Sequence, residues 1–234
     1  MKSIKIAFLA LIAIAGLTGT AFAQSEETRS VSGYNGIASG GSFTIYVKID
    51  GTESLRLKGD AEDLKKIETV VEHGVLQIRF PKENEWKHDH IGHIDVYVTA
   101  KSLSSVALGG SGSIDVEGVV KGEKVKVSMG GSGNISTAVE SGDLNVSIAG
   151  SGNITMKGKT NDAHISIAGS GNLKAPELKA DVADIGIAGS GDVRMDIEKT
   201  ISAHIAGSGN VTYTGNANIT TIQSAGSGRV TRMN

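Results

Sequence analysis

The one dense polar stretch is Trp86-Lys87-His88-Asp89-His90-Ile91-Gly92-His93, which holds three of the six histidines and the lone tryptophan. His90 and His93 stand three residues apart with His88 beside them. Imidazoles grouped in this way can bind Zn or Ni. The chain has no Cys, and no carboxylate at a diagnostic spacing completes a metal-site pattern. A solvated loop between two strands explains the stretch equally, so no metal and no other cofactor is assigned. Trp86 has a separate use, as an exposed partner contact that stacks on a carbohydrate or anchors a protein.

The other chemistry-bearing residues recur. Serines at Ser111, Ser132, Ser151, Ser170, Ser190, Ser208 and Ser227 each sit inside a Gly-Ser-Gly triplet. A nucleophilic Ser needs a base beside it, and no His accompanies this row. Two residues further on stand Asn134, Asn153, Asn172 and Asn210, with Ser113, Asp192 and Arg229 in the remaining repeats. Stacked Ser and Asn can bond to each other and to the turn backbone, and Asn tolerates left-handed geometry. Both columns therefore read as structural turn ladders. Asp143 and Asp162 both fall seven residues before a triplet, with Lys157, Lys174 and Arg194 on nearby exposed stretches. Such groups on stacked outward positions could cleave an acidic polysaccharide. A solvated surface ladder of charges accounts for them too.

These side chains need a scaffold that repeats. The triplets begin at Gly110, Gly131, Gly150, Gly169, Gly189, Gly207 and Gly226, with intervals of 21, 19, 19, 20, 18 and 19 residues. Two residues before each stand Leu108, Met129, Ile148, Ile167, Ile187, Ile205 and Ser224. Four before stand Val106, Val127, Val146, Ile165, Ile185, Ala203 and Ile222. Four after its first Gly stand Ile114, Ile135, Ile154, Leu173, Val193, Val211 and Val230. Alternation of β-branched residues at period 2 means strands with one buried face. A unit this short must stack on its neighbours to bury that face. The expected fold is all-β: a parallel β-helix, or β-solenoid, with about 19 residues per rung. Each rung reads as strand, Gly corner, strand and a looser return. Seven rungs at about 4.8 Å each make a rod roughly 34 Å long.

Residues 101–234 hold the seven Gly-Ser-Gly rungs, and residues 31–100 read as irregular N-terminal coils of the same single domain, 24–234. Phe43, Ile45, Val47 and Ile49 alternate, as do Leu76, Ile78 and Phe80, then Ile94, Val96 and Val98. Asp50-Gly51 and His73-Gly74 are turn dipeptides. These strands form looser coils or hairpins that close one end of the rod. Ala61 to Val71 is the one stretch with helical spacing, and it reads as a loop with one turn. At the other end Ser224, Arg229 and Arg232 depart from the repeat, which leaves room for a second copy of the chain to cover that end.

Residues 1–23 read as an export signal. Lys2 and Lys5 precede the apolar run Ile6 to Leu17, and Ala21-Phe22-Ala23 places cleavage after Ala23. The apolar run is shorter than the roughly 20 residues that span a bilayer, and no later segment is apolar enough. Cleavage would leave 21 basic against 25 acidic residues. That balance is the opposite of a nucleic-acid-binding surface.

Tyr34-Asn35-Gly36-Ile37, then Asp95-Val96-Tyr97-Val98-Thr99 leading to Leu103, then the Gly-Ser-Gly-Asn-Ile rungs, follow one another across Val31 to Val230. This combination resembles the bacterial family called putative auto-transporter adhesin, head GIN domain. The resemblance implies a right-handed parallel β-helix in the cell envelope. The Lys82 to His93 loop departs from the family pattern. Together these readings predict a non-catalytic exported protein of periplasm or cell surface, adhesin-like, meeting itself, a cell-surface glycan or a protein. The competing expectation is a carbohydrate-active β-helix enzyme. The two differ in whether polar groups converge in one groove.

Overall fold

The computed structural model describes residues 25–81 and 91–233. The leader and its Ala23 cleavage site lie outside them, as do Trp86, His88 and His90. The described chain begins with β1 (Ser25–Arg29), β2 (Gly36–Gly40), β3 (Thr44–Ile49) and β4 (Ser54–Gly59). A one-turn helix α1 (Ala61–Leu64) precedes β5 (Glu68–Glu72), β6 (Val75–Arg79), β7 (Asp95–Ala100) and β8 (Ser105–Gly110). Then come five long strands, β9 (Ser113–Gly131), β10 (Asn134–Gly150), β11 (Asn153–Gly169), β12 (Asn172–Gly189) and β13 (Val193–Gly207). The described chain closes with β14 (Asn210–Thr214), β15 (Asn218–Gly226) and β16 (Arg229–Arg232).

Each long strand pairs in parallel with the next, so that the repeats form a β-solenoid of about 19 residues per rung. The register aligns Ile148 with Ile167, Ile167 with Ile187 and Ile187 with Ile205. All four are at most 2% exposed. Burying a side chain of this size is worth about 1.5–3 kcal/mol, so these columns supply much of what holds one rung on the next.

The return half of each rung is not loose. Ladder pairing continues around a second corner, and the unequal repeat lengths are absorbed there. Register shifts fall at Ser136/Ala138, Thr155/Lys157 and Ala175/Lys179, while the Gly-Ser-Gly corners keep step. Pro176 lies within the last of these irregularities, where a missing N–H is tolerated.

The Gly-Ser-Gly corner is tight because the backbone itself climbs there. Ser151 N–H donates to the Gly131 carbonyl and Ser170 N–H to the Gly150 carbonyl, both at 2.9 Å. Gly150 has φ 128°, and a Cβ on it would run into the carbonyl of Gly131. Both conditions exclude other residues.

The N-terminal closure has a definite construction. β2 pairs in parallel with β6 and β8, and β3 with β7 and β9. The rung made of β2 and β3 therefore lies between the β6–β7 rung and the rung of β8 and the first arm of β9. The chain lays the outer rung second. Antiparallel strands then cover that outer rung: β4 on β7, β1 on β4, and β5 on β6. The second half of the Ala61 to Val71 stretch is corrected here. Only Ala61–Leu64 is helical, capped by the Asp60 carboxylate, and Val70 and Val71 belong to a hairpin strand. Their apolar spacing serves pairing with β6 through the His73-Gly74 turn, where His73 itself takes φ 52°.

Tyr34 ties the first rung to this closure. Its buried hydroxyl donates to the Thr99 carbonyl at 2.5 Å. Burial, with the Glu53 carboxylate nearby, pushes the phenol up to about 12. At the other end β15 and β16 add in parallel to β13 and β14, leaving Ile219 and Ile222 exposed.

Candidate functional site

Because the interior is filled by aliphatic columns, chemistry is confined to side chains that alternate outward. In a parallel stack these form columns running along the rod, one residue per rung. The Asn column is bonded rung to rung. Asn153 Nδ2 donates to Asn134 Oδ1 at 3.3 Å, and Asn172 Nδ2 to Asn153 Oδ1 at 3.0 Å. Asn210 donates from both its backbone N and Nδ2 to Asp192 Oδ1, at 2.9 and 3.1 Å. The serines beside it are exposed. They reach the previous rung through their backbone N–H, and among the described residues Ser151, Ser170, Ser190 and Ser208 make no side-chain bond to a neighbouring serine. The glycine carbonyl takes the N–H and leaves the hydroxyl in water.

Charged columns pair in the same way. Glu140 sits between Lys121 at 3.1 Å and Lys159 at 3.2 Å, and these hydrogen bonds hold its carboxyl below the usual range. Lys179 meets Glu198 at 3.3 Å and Lys199 meets Asp181 at 2.9 Å. Exposed pairs of this kind contribute little individually. Lys121, Glu140, Lys159, Lys179, Asp181 and Glu198 together line one cleft of about 670 Å³.

Asp143 and Asp162 are register partners in adjacent rungs, and Asn145 Nδ2 donates to Asp143 Oδ1 at 2.8 Å. The basic residues are elsewhere. Lys174 and Arg194 pair beyond the Gly-Ser-Gly corner, on the following arm. Lys157 and Lys174 line a cleft at the second corner with Asp115, Glu117 and Glu177, and neither Asp143 nor Asp162 lines it. The two aspartates and the three basic residues thus do not share one groove.

Of the His-rich loop, His93 is described. It is exposed, with Nε2 3.0 Å from Asp95 Oδ1. Among the described residues no three His, Asp or Glu side chains gather around a possible ion. The end of that loop is fastened by Asp63 of α1, which accepts from the Gly92 N–H at 2.9 Å and from Lys66 Nζ at 2.7 Å. The Lys66 hydrogen bond, then that of Gly92, holds the Asp63 carboxyl low.

One constellation escaped the sequence reading. Tyr46 of β3 and Tyr97 of β7 are register partners on the outer face. Their rings stack with centroids 5.2 Å apart and planes 18° from parallel. Arg56 of β4 caps the stack, its guanidinium carbon 4.7 Å from the Tyr97 centroid, and Glu26 of β1 pairs with Arg56. The signal was present: both tyrosines occupy the outward slots of alternating apolar strands. What the sequence did not reveal is that β7 lies beside β3.

Solved structures share this architecture. A putative adhesin from Bacteroides fragilis NCTC 9343 is 22% identical, with a TM-score of 0.80 over 90% of this chain and 97% of that one. A putative lipid binding protein from Parabacteroides distasonis ATCC 8503 is 25% identical, with a TM-score of 0.69 over 90% and 97%. A putative adhesin from Parabacteroides merdae ATCC 43184 is 20% identical, with a TM-score of 0.65 over 90% and 96%. No curated protein matches the chain. The family model described as putative auto-transporter adhesin, head GIN domain, matches residues 33–217, and the chain belongs to that family.

Proposed function

We propose that the protein is a non-catalytic binding module, exported by its leader and displayed at the cell surface as a short rigid rod. One observation carries the reading. The outward polar groups of the repeats are engaged rung to rung, as in Asn134–Asn153–Asn172 and Lys121–Glu140–Lys159, so that even the cleft lined by Lys121, Glu140 and Lys159 is walled by charges already paired with one another. An enzyme would need acid, base and substrate contacts at a single place. The family description as adhesin and the neighbours described as adhesins or a binding protein support the same class. Among the described residues no helix is long and apolar enough to cross a membrane, which is compatible with an exported chain.

Protease treatment of intact cells tests the placement. The reading expects the folded chain to be shaved from whole cells, and full protection until the outer membrane is opened would overturn it. Turnover on a polysaccharide panel, lost in Asp143→Asn, would overturn the non-catalytic assignment.

A further inference from the structure

The described aromatic residues divide sharply. Tyr34, Phe43 and Tyr213 are buried, and Phe80 packs against the core beside Phe43 at 5.0 Å. Tyr46 and Tyr97 alone among them face outward, and Tyr46 keeps 43% of its surface exposed. In a chain with 4% aromatics this pair is the one aromatic feature on an outer face of the ladder among the described residues.

The stack is closed at one end and open at the other. The order across the sheet is Arg56, Tyr97, Tyr46, Asp115, then Ser136. Tyr97 is covered by Arg56 on one side and Tyr46 on the other. Tyr46 has its second ring face toward a strand that carries only the short Asp115, with Ser136 beyond. A step therefore forms, with an aromatic wall above a polar floor.

The neighbouring outward column runs Ser54, Thr99, Lys48, Glu117. Ser54 and Thr99 hydroxyls lie 2.9 Å apart, and Thr52 donates to Thr99 at 3.1 Å. Between the two columns is an open cleft of about 660 Å³ lined by Tyr46, Lys48, Arg56, Tyr97, Asp115 and Glu117.

We propose that this cleft binds a neutral saccharide unit. The claim rests on the binding reading above and gives it a partner class. A pyranose has a C–H face that packs on an aromatic ring and a rim of hydroxyls that both donate and accept. The Tyr46 wall matches the face. The Asp115 and Glu117 carboxylates accept from the rim, and Lys48, with the Thr and Ser hydroxyls, donates to it. Lys48 and Arg56 face Asp115, Glu117 and the Glu26 that pairs with Arg56, which leaves the surroundings one negative charge in excess. Nothing there would draw in an acidic sugar or a phosphate. The cleft is open and polar-rimmed, unlike the enclosed apolar cavity that a lipid tail requires.

Titration of the purified chain with neutral and acidic oligosaccharides tests this, alongside Tyr46→Ala, Tyr46→Phe and a distant Lys159→Ala control. The expected result is saturable binding of a neutral oligosaccharide, weakened about tenfold or more by Tyr46→Ala and unchanged in the control, since each tenfold corresponds to about 1.4 kcal/mol of contact. Tyr46→Phe keeps the ring and is expected to retain binding, which separates loss of the wall from loss of fold. Saccharide binding that Tyr46→Ala leaves intact would overturn the site and spare the binding reading. Preference for acidic sugars would overturn the neutral class. Capture of phospholipid vesicles through Tyr46, with no saccharide bound, would overturn the saccharide. If the chain binds neither sugars nor cell surfaces, the proposal and the reading beneath it both fail.

Discussion

Ser39 is the one buried polar residue of its column, since Ser224 at the open end is exposed. It stands between Ile78 and Leu108 in register, 5% exposed, and its hydroxyl is the one buried side-chain polar atom without a partner among the described residues. A buried donor without a bond costs free energy that an apolar group of similar shape would not. Ser39→Val should therefore raise stability by about 1 kcal/mol, read as a higher midpoint in urea unfolding with unchanged slope. A lower midpoint would mean the hydroxyl is satisfied in solution. The Tyr46 and Tyr97 pair sits at the opposite extreme, an apolar group kept outside. Period-2 alternation makes both kinds of exception legible as positions. It does not reveal which outward residues become neighbours, because that depends on the strand order.

At the level of the element, the repeat was readable because one geometric demand recurs at every corner. A triplet whose first Gly needs positive φ and whose backbone touches the previous rung leaves the same residues at each turn. Gly150→Ala places a Cβ against the Gly131 carbonyl and forces φ near 128° on a residue that avoids it. The loss should be about 2–3 kcal/mol or more, seen in thermal unfolding, whereas Ala149→Ser on the exposed position beside it should be nearly neutral. Equal effects at the two positions would show that the corner relaxes freely. The second corner is different. Its length varies, bulges take up the difference, and glycine with positive φ stands there in only some rungs, at Gly118, Gly158 and Gly215, so its strands read as a looser return. The N-terminal strands were legible one by one from their alternation. Their layering was not. β8 follows β7 in the chain yet pairs with β2, and nothing local to those residues encodes the choice.

For the whole molecule, the consequence of stacking is that sequence distance becomes position along a rod. Residues about 19 apart become neighbours, and every outward side chain joins a column. The covered N-terminal end carries the aromatic step, and the repeats beyond it carry the Asn and charge ladders. The proposed binding role depends on this order, since a different register would scatter both. The chain has no Cys of its own, so introduced pairs report cleanly. Adjacent rungs lie about 4.8 Å apart, within disulfide reach, while alternate rungs at about 9.6 Å lie beyond it. Oxidation of Asn153→Cys/Asn172→Cys should give rapid intramolecular cross-linking, and Asn153→Cys/Asp192→Cys should stay reduced. Cross-linking of the second pair as readily as the first, or failure of the first in folded protein, would contradict the rung-on-rung stack.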